Sequence, residues 1–232
     1  MKKIKIENLN LFAGEKKILK NINISIENGK FIAILGKNGN GKTSIFKAIM
    51  NHYSYEKNGS IFYNDINITN LEPNEISSMG IWYVPQISLE IKGLKVYDFL
   101  RVILEKKFKL SNEEFLNKIN VALNKLQLNS DVLQRDVNVG FSGGEKKKLE
   151  LLQLIIMEPE VILLDEIDSG LDFAAIEILI DILSEFKKQG RTVIMITHNM
   201  YFLNKVKIDL QIQIKNGEVE SFGPFVTSEK EI

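Results

Sequence analysis

A chain of 232 residues, 44% hydrophobic and 26% charged, is long enough to bury a sizeable core and has ordinary globular composition. Lys+Arg and Asp+Glu balance at 30 each, so no overall charge favours nucleic acid or an anionic membrane, and any strong partner must be recognised locally. Cysteine is absent, which excludes disulfides, cysteine metal sites and a thiolate carrier of sulfur or iron.

The first residues, Met1–Glu7, alternate charge and apolarity with no apolar stretch of signal-peptide length. Runs such as Val161–Leu164 fall far short of the roughly 18 residues a membrane helix needs, so the expectation is a cytoplasmic chain with no direct membrane insertion. Residues 4–35 read as strands with turns: Ile22, Ile24 and Ile26 alternate, a turn sits at Asn28-Gly29, and Phe31–Leu35 is an apolar run. A helix is expected from Thr43 to about His52, a strand pair with a turn over Gly59–Ile68, and a short strand at Ile81–Val84.

Residues 95–130 change character and read as helices. Ser111 and Glu114 have capping-box spacing, and Phe115, Ile119, Leu123 and Leu126 then share one helical face. After Gly144 a helix should run to about Met157, followed by a strand at Val161–Leu164 and a helix at Ala174–Lys188 stopped by Gly190. A strand at Thr192–Thr197 and a final strand pair around Asn216-Gly217 complete the chain. Strands separated by crossover helices imply an α/β fold with a mainly parallel sheet. With no internal repeat or low-complexity linker, residues 1–232 read as one domain. A helical subdomain at about 87–158 would lie on one edge, and an antiparallel β subdomain would complete it.

Gly36-Lys37-Asn38-Gly39-Asn40-Gly41-Lys42-Thr43 fits the P-loop pattern between a buried-type strand and a helix, with Ser44 next in line. Glycines let backbone N–H groups turn in around phosphates, and the helix start adds a favourable field. Lys42 would bring a compact charge to the β- and γ-phosphates of ATP, and the Thr43 hydroxyl could ligate Mg²⁺. Val161-Ile162-Leu163-Leu164-Asp165-Glu166 delivers two carboxylates at the end of an apolar strand, where α/β sheets bind ligands. Asp165 would hold the Mg²⁺ shell, and Glu166, pointing the other way, would orient and deprotonate a water. Alone, two acids after an apolar strand more often lead into a capped turn; the P-loop upstream reverses that weighting.

Ser142-Gly143-Gly144-Glu145 precedes Lys146-Lys147-Lys148 and an apolar helix. By itself it is a loop with a helix N-terminus, but beside the other two motifs it resembles the signature of the ABC ATPase family. That resemblance covers essentially the whole chain. It implies a P-loop NTPase fold and an ATP-dependent homodimer in which the signature of one subunit closes over the γ-phosphate bound to the other.

In the family order, Gln86 fits the Q-loop, which touches the Mg²⁺ shell. Ser169-Gly170-Leu171-Asp172 fits the D-loop, and His198 the switch histidine that contacts the γ-phosphate. Phe12 is placed either on adenine or in the core. Phe141 and Glu145 stand where Leu and Gln are commoner.

Val139–Lys147, Leu151-Leu152-Gln153, Glu158-Pro159 and Asp165–Asp172 resemble the SufC family, as do Glu90-Ile91, Gly93 and Phe99-Leu100-Arg101 in their spacing from Gln86. SufC is the ATPase of SUF iron–sulfur cluster assembly. The resemblance implies a soluble SufB/SufD-like scaffold as partner, and Glu145 is the expected residue there. Gln86-Ile87-Ser88 departs from the usual Gln-Tyr-Pro, and Tyr83-Val84-Pro85-Gln86 resembles branched-chain amino-acid transporter subunits. The alternative is therefore the nucleotide-binding subunit of a transporter, with a membrane permease as partner. A translation or DNA-repair role fits less well, because those proteins usually carry paired cassettes or long insertions.

Overall fold

The computed structural model describes residues 3–226; the ends of the expected single domain, 1–2 and 227–232, lie outside the described residues. Strands β1 (Lys3–Ala13) and β2 (Lys16–Glu27) form a long antiparallel hairpin. Adding β4 (Glu56–Tyr63) and β5 (Ile66–Asn67) gives a four-stranded antiparallel sheet of order β2-β1-β4-β5. Ile22, Ile24 and Ile26 point into it, as their alternation requires.

A six-stranded sheet is built from β3 (Phe31–Leu35), β6 (Ile81–Val84), β9 (Val161–Asp165), β10 (Thr192–Ile196), β11 (Leu210–Lys215) and β12 (Glu218–Pro224). Its order is β12-β11-β3-β10-β9-β6, parallel throughout except for the final β11–β12 hairpin. Residues of β9 and β10 are buried on both faces, which is why these strands read as unbroken apolar runs. Val161, Leu163, Ile194 and Ile196 face one cluster with the antiparallel sheet and helix α1 (Lys42–Ile49). Ile162, Leu164, Val193 and Met195 face the other, with the remaining long helices.

Those helices are α3 (Val96–Glu105), α4 (Asn112–Lys125), α5 (Gly143–Met157) and α6 (Phe173–Lys188). The Ser111–Glu114 capping box forms, and Phe115, Ile119, Leu123 and Leu126 are buried on one face. Gly190 ends α6: its N–H donates to Lys187 O and that of Arg191 to Phe186 O, both at 3.0 Å.

The expected helix to His52 stops at Ile49. Asn51 takes a left-handed φ of 49°, and the N–H of His52 turns back to Lys47 O at 2.9 Å. Segment 87–158 is also not purely helical. It carries a small antiparallel pair, β7 (Ile91–Lys95) with β8 (Asp136–Val137), and a 3₁₀ turn at Ser130–Gln134. Two short helices go unmarked in the sequence: α2 (Pro73–Ser78) buries Ile76 alone, and α7 (Met200–Val206) buries Phe202, Leu203 and Val206 within only seven residues.

The parallel register sets the site. Ile34 of β3 and Asp165 of β9 both stand level with Ile196 of β10, so the segments after all three strands leave the sheet at one edge. Among the described residues β3 pairs only with β10 and β11.

Candidate functional site

The P-loop is fastened before any ligand arrives. The Asn40 side chain donates to Ile214 O at 3.1 Å, which ties the loop to β11. A Cβ on Gly36 would run into that same carbonyl, so no other residue fits there. Gly41, at φ 97°, opens α1, and a side chain would press on Leu19. Lys42 is buried and folds back over the loop, its Nζ 2.6 Å from Gly36 O and 3.2 Å from Lys37 O. Burial lowers the pKa of its ammonium, against which Glu166 and Asp165 pull it upward. Main-chain acceptors and a weakly solvated cation leave a positive group ready to turn toward phosphate.

Thr43 Oγ1 donates to Asp165 Oδ1 at 3.1 Å, and Tyr83 OH donates to Oδ2 of the same carboxylate at 3.1 Å. Asp165 is fully buried, and desolvation raises its pKa despite these two hydrogen bonds. Two hard oxygens side by side at the start of α1 suit a cation that takes one or two protein ligands and completes its shell with phosphates and water, as Mg²⁺ does. The residues present therefore fit that ion.

Glu166 follows the end of β9 at φ 48°, which turns its side chain away from Asp165 and toward Gln86. Gln86 Nε2 donates to Glu166 Oε2 at 2.6 Å, which leaves the amide oxygen of Gln86 free to face a metal shell. His198 Nε2 lies 3.2 Å from Asn38 Oδ1, and Lys42 Nζ is 3.4 Å from the same atom. Thr197 donates to Asp168 Oδ2 at 2.8 Å, which ties the histidine segment to the Asp168–Asp172 turn.

The structure thus brings together Lys42, Thr43, Asp165, Glu166, Gln86 and His198. Ser142–Glu145 and Asp172 make no hydrogen bond to them among the described residues. Asp172 caps α6 through Ala175 N at 2.8 Å. Ser142 caps α5: its hydroxyl accepts from Glu145 N at 3.2 Å, and Glu145 Oε2 accepts from Ser142 N at 2.8 Å. Phe12 is half-buried and belongs to neither core cluster, with Lys17 Nζ 5.7 Å from its ring centre.

Three participants were not visible in the pattern. Tyr83 belongs to the expected strand Ile81–Val84 and to the transporter-like string, and neither gives its hydroxyl the role it has on Asp165. Arg135 donates to Glu145 Oε1 at 3.0 Å and to Gly140 O at 2.8 Å, and its guanidinium lies 3.8 Å from the Phe141 ring centre. The Glu145 carboxyl is held below its usual range by the Ser142 hydrogen bonds and by Arg135, so its charge is compensated inside the chain. Lys147, the middle of three consecutive lysines, is buried, with Nζ 2.7 Å from Gln86 O.

Comparison with known proteins bears on this geometry. A family model described as "ABC transporter" matches residues 19–169. A "Probable ATP-dependent transporter ycf16" of Antithamnion sp. is 38% identical over 223 residues, covering 93% of this chain and 89% of that one. A "Probable ABC transporter ATP-binding protein" of Streptococcus pyogenes serotype M3 is 34% identical over 221 residues, covering 93% and 86%. Among solved structures, the dimeric ATP-binding cassette MJ0796 with ADP and Pi shares the fold, with a TM-score of 0.83 at 24% identity over 95% of this chain and 98% of that one. The ADP form of MJ1267, an ATP-binding cassette of an ABC transporter, superposes with a TM-score of 0.76 at 26% identity, covering 97% and 92%.

Proposed function

The chain belongs to the ABC transporter family, and from that premise we propose that it binds and hydrolyses ATP with Mg²⁺, working as an ATP-dependent head-to-tail dimer that drives a separate partner. The observation that carries this reading is that Lys42, Thr43, Asp165, Gln86 and Glu166 stand at one sheet edge, with Thr43 bonded to Asp165 at 3.1 Å, Gln86 to Glu166 at 2.6 Å, and Lys42 held over the P-loop by Gly36 O at 2.6 Å. Bound at Thr43 and Asp165, Mg²⁺ would supply charge neutralisation at the phosphates. Gly36–Ser44 enclose the triphosphate, and Lys42 turns from its main-chain acceptors to the β- and γ-oxygens. Glu166, oriented by Gln86, accepts the proton of the attacking water. His198 faces the γ-phosphate side of the P-loop. Ser142–Gly144 form the start of α5, whose free N–H groups suit the γ-phosphate held by the other subunit. Asp172 lies on the turn that would meet that subunit.

We infer a SufB/SufD-like soluble scaffold as the partner. Its support is the SufC-like string Phe141–Glu145, which this chain makes workable by pairing Glu145 with Arg135. Among the described residues no helix is long and apolar enough to cross a membrane. A permease partner is the second reading, favoured by the word "transporter" in the names of the relatives. Co-purification of tagged chain with scaffold subunits, and lowered iron–sulfur enzyme activity on gene deletion, are expected. Recovery with an integral membrane protein, together with normal iron–sulfur enzymes, would establish the permease instead. Lack of ATP binding and turnover would remove both.

A further inference from the structure

Segment 85–90, which carries Gln86, has no regular structure of its own, yet it is held at almost every residue. Lys147 Nζ lies 2.7 Å from Gln86 O and 3.5 Å from Pro85 O. Asn138 Nδ2 donates to Leu89 O at 2.7 Å. The Ser88 hydroxyl hydrogen-bonds the Glu150 carboxyl, which also accepts from Gln153 Nε2 at 3.3 Å. Lys146 pairs with Glu90 at 2.7 Å. Ser88, Asn138, Lys147 and Glu150 are each more than nine-tenths buried. Lysine and glutamate are almost never placed so deep without a partner, and here each spends its bonds on the Gln86 segment or on the other's neighbourhood.

Three of the contacting side chains, Lys146, Lys147 and Glu150, lie on α5, the helix that Ser142 caps, and Gln153 of the same helix supports Glu150. Lys147 is five residues beyond that cap, about 7.5 Å along the axis. The start of α5 and the Gln86 main-chain carbonyl are therefore joined through one rigid helix and one buried ammonium.

We propose that Lys147, seated by Glu150, is a positioning residue for hydrolysis: it fixes the Gln86 backbone so that the Gln86 amide holds Glu166 toward the attacking water. The Lys147 ammonium is directed at the Gln86 and Pro85 carbonyls and acts through Gln86. The inference rests on the ATPase reading above and adds to it a link between the signature helix and the catalytic carboxylate.

A double-mutant cycle on the full chain tests it, with steady-state ATP turnover of the unaltered protein, Lys147→Met, Gln86→Ala and the pair. Displacing a group by about 1 Å costs up to about 100-fold in rate, so Lys147→Met should lower kcat by about 10- to 100-fold while KM for ATP moves less than about twofold. In the Gln86→Ala background the same change should cost nothing further. Lys147→Gln, whose amide can still donate to the carbonyl, should recover most of the rate. Hydrogen exchange should quicken in 85–90 while the sheet stays protected.

Multiplying losses in the pair, or an unchanged kcat in Lys147→Met, would overturn the role of Lys147. If Lys147→Met does not fold, combining it with Glu150→Gln removes the ion left unpaired, and the same cycle is run on that protein. Absence of ATP turnover in the unaltered chain would instead count against the ATPase reading itself.

Discussion

The side-chain amide of Gln86 and the carboxylate of Glu166 meet at 2.6 Å, although 80 positions separate them in the chain. Gln86 follows β6 and Glu166 follows β9, and these strands pair in parallel with Val84 level with Leu164, so their ends deliver both side chains to one place. Glu166→Gln would keep the shape of this contact and lose the base. It should bind MgATP normally, hydrolyse it roughly 10²–10⁴-fold more slowly, and accumulate as a dimer only with nucleotide. Gel filtration with and without ATP reads the outcome. No shift in size would argue against the sandwiched dimer.

Lys42→Ala should abolish productive ATP binding. Its Nζ sits among Gly36 O, Lys37 O and Asn38 Oδ1, and among the site residues described no second cation occupies that space. Titration with a fluorescent ATP analogue is the direct check, and near-normal affinity with turnover would show that the phosphate site lies elsewhere.

Arg135→Ala should cost the isolated chain about 1 kcal/mol or less in denaturant unfolding, because both partners of the Arg135–Glu145 pair are partly solvated. Its effect on the ATP-dependent dimer of the Glu166→Gln protein should be larger. An uncompensated Glu145 carboxylate would then stand at the start of α5, where the other subunit's phosphates approach. Adding Glu145→Gln should restore dimerisation; if it does not, Arg135 serves only local packing against Phe141.

Lys57 gives a pH signature. Its Nζ donates to Ala48 O at 3.2 Å near the end of α1, and burial lowers its pKa from 10.5 to about 8. Below about pH 8 both folded and unfolded chains hold the proton, and the folded state carries the burial penalty. Between about 8 and 10.5 the unfolded chain holds more protons, so stability rises with pH across that window. Lys57→Met should remove this rise, which shows as a shrinking difference in Tm between the two proteins as pH climbs to 10.5. A constant difference would mean that Lys57 is not desolvated in solution.

The catalytic strands and loops were legible because local chemistry demands them. Val161–Leu164 has to be buried on both faces, Gly36 and Gly41 hold backbone that a side chain would block, and Ser111 and Ser142 each carry Glu three residues on. What escaped depends on distant pairing. The β7–β8 pair joins residues some forty positions apart, with Ile91 level with Val137, and shows no alternation. Helix α2 starts from Glu72 with Pro73, and its capping box uses Glu75, so it lacks the Ser that opens the capping boxes of α4 and α5. Lys147 sits in a run of three lysines, and only the helical turn sends the middle one inward. Arg135 and Tyr83 matter because of what they touch, and nothing in their neighbours in sequence announces it.

The placement of β3 has a consequence for how the molecule is made. Among the described residues the P-loop strand pairs with β10 and β11 alone, and Asn40 reaches Ile214, 174 positions later. A nascent chain therefore carries its phosphate loop through most of synthesis with neither neighbouring strand beside it. At 5–20 residues per second that interval lasts roughly ten to thirty seconds. The Asn40 tie to Ile214 O can form only once β11 has emerged, so this fastening of the phosphate loop comes late in synthesis.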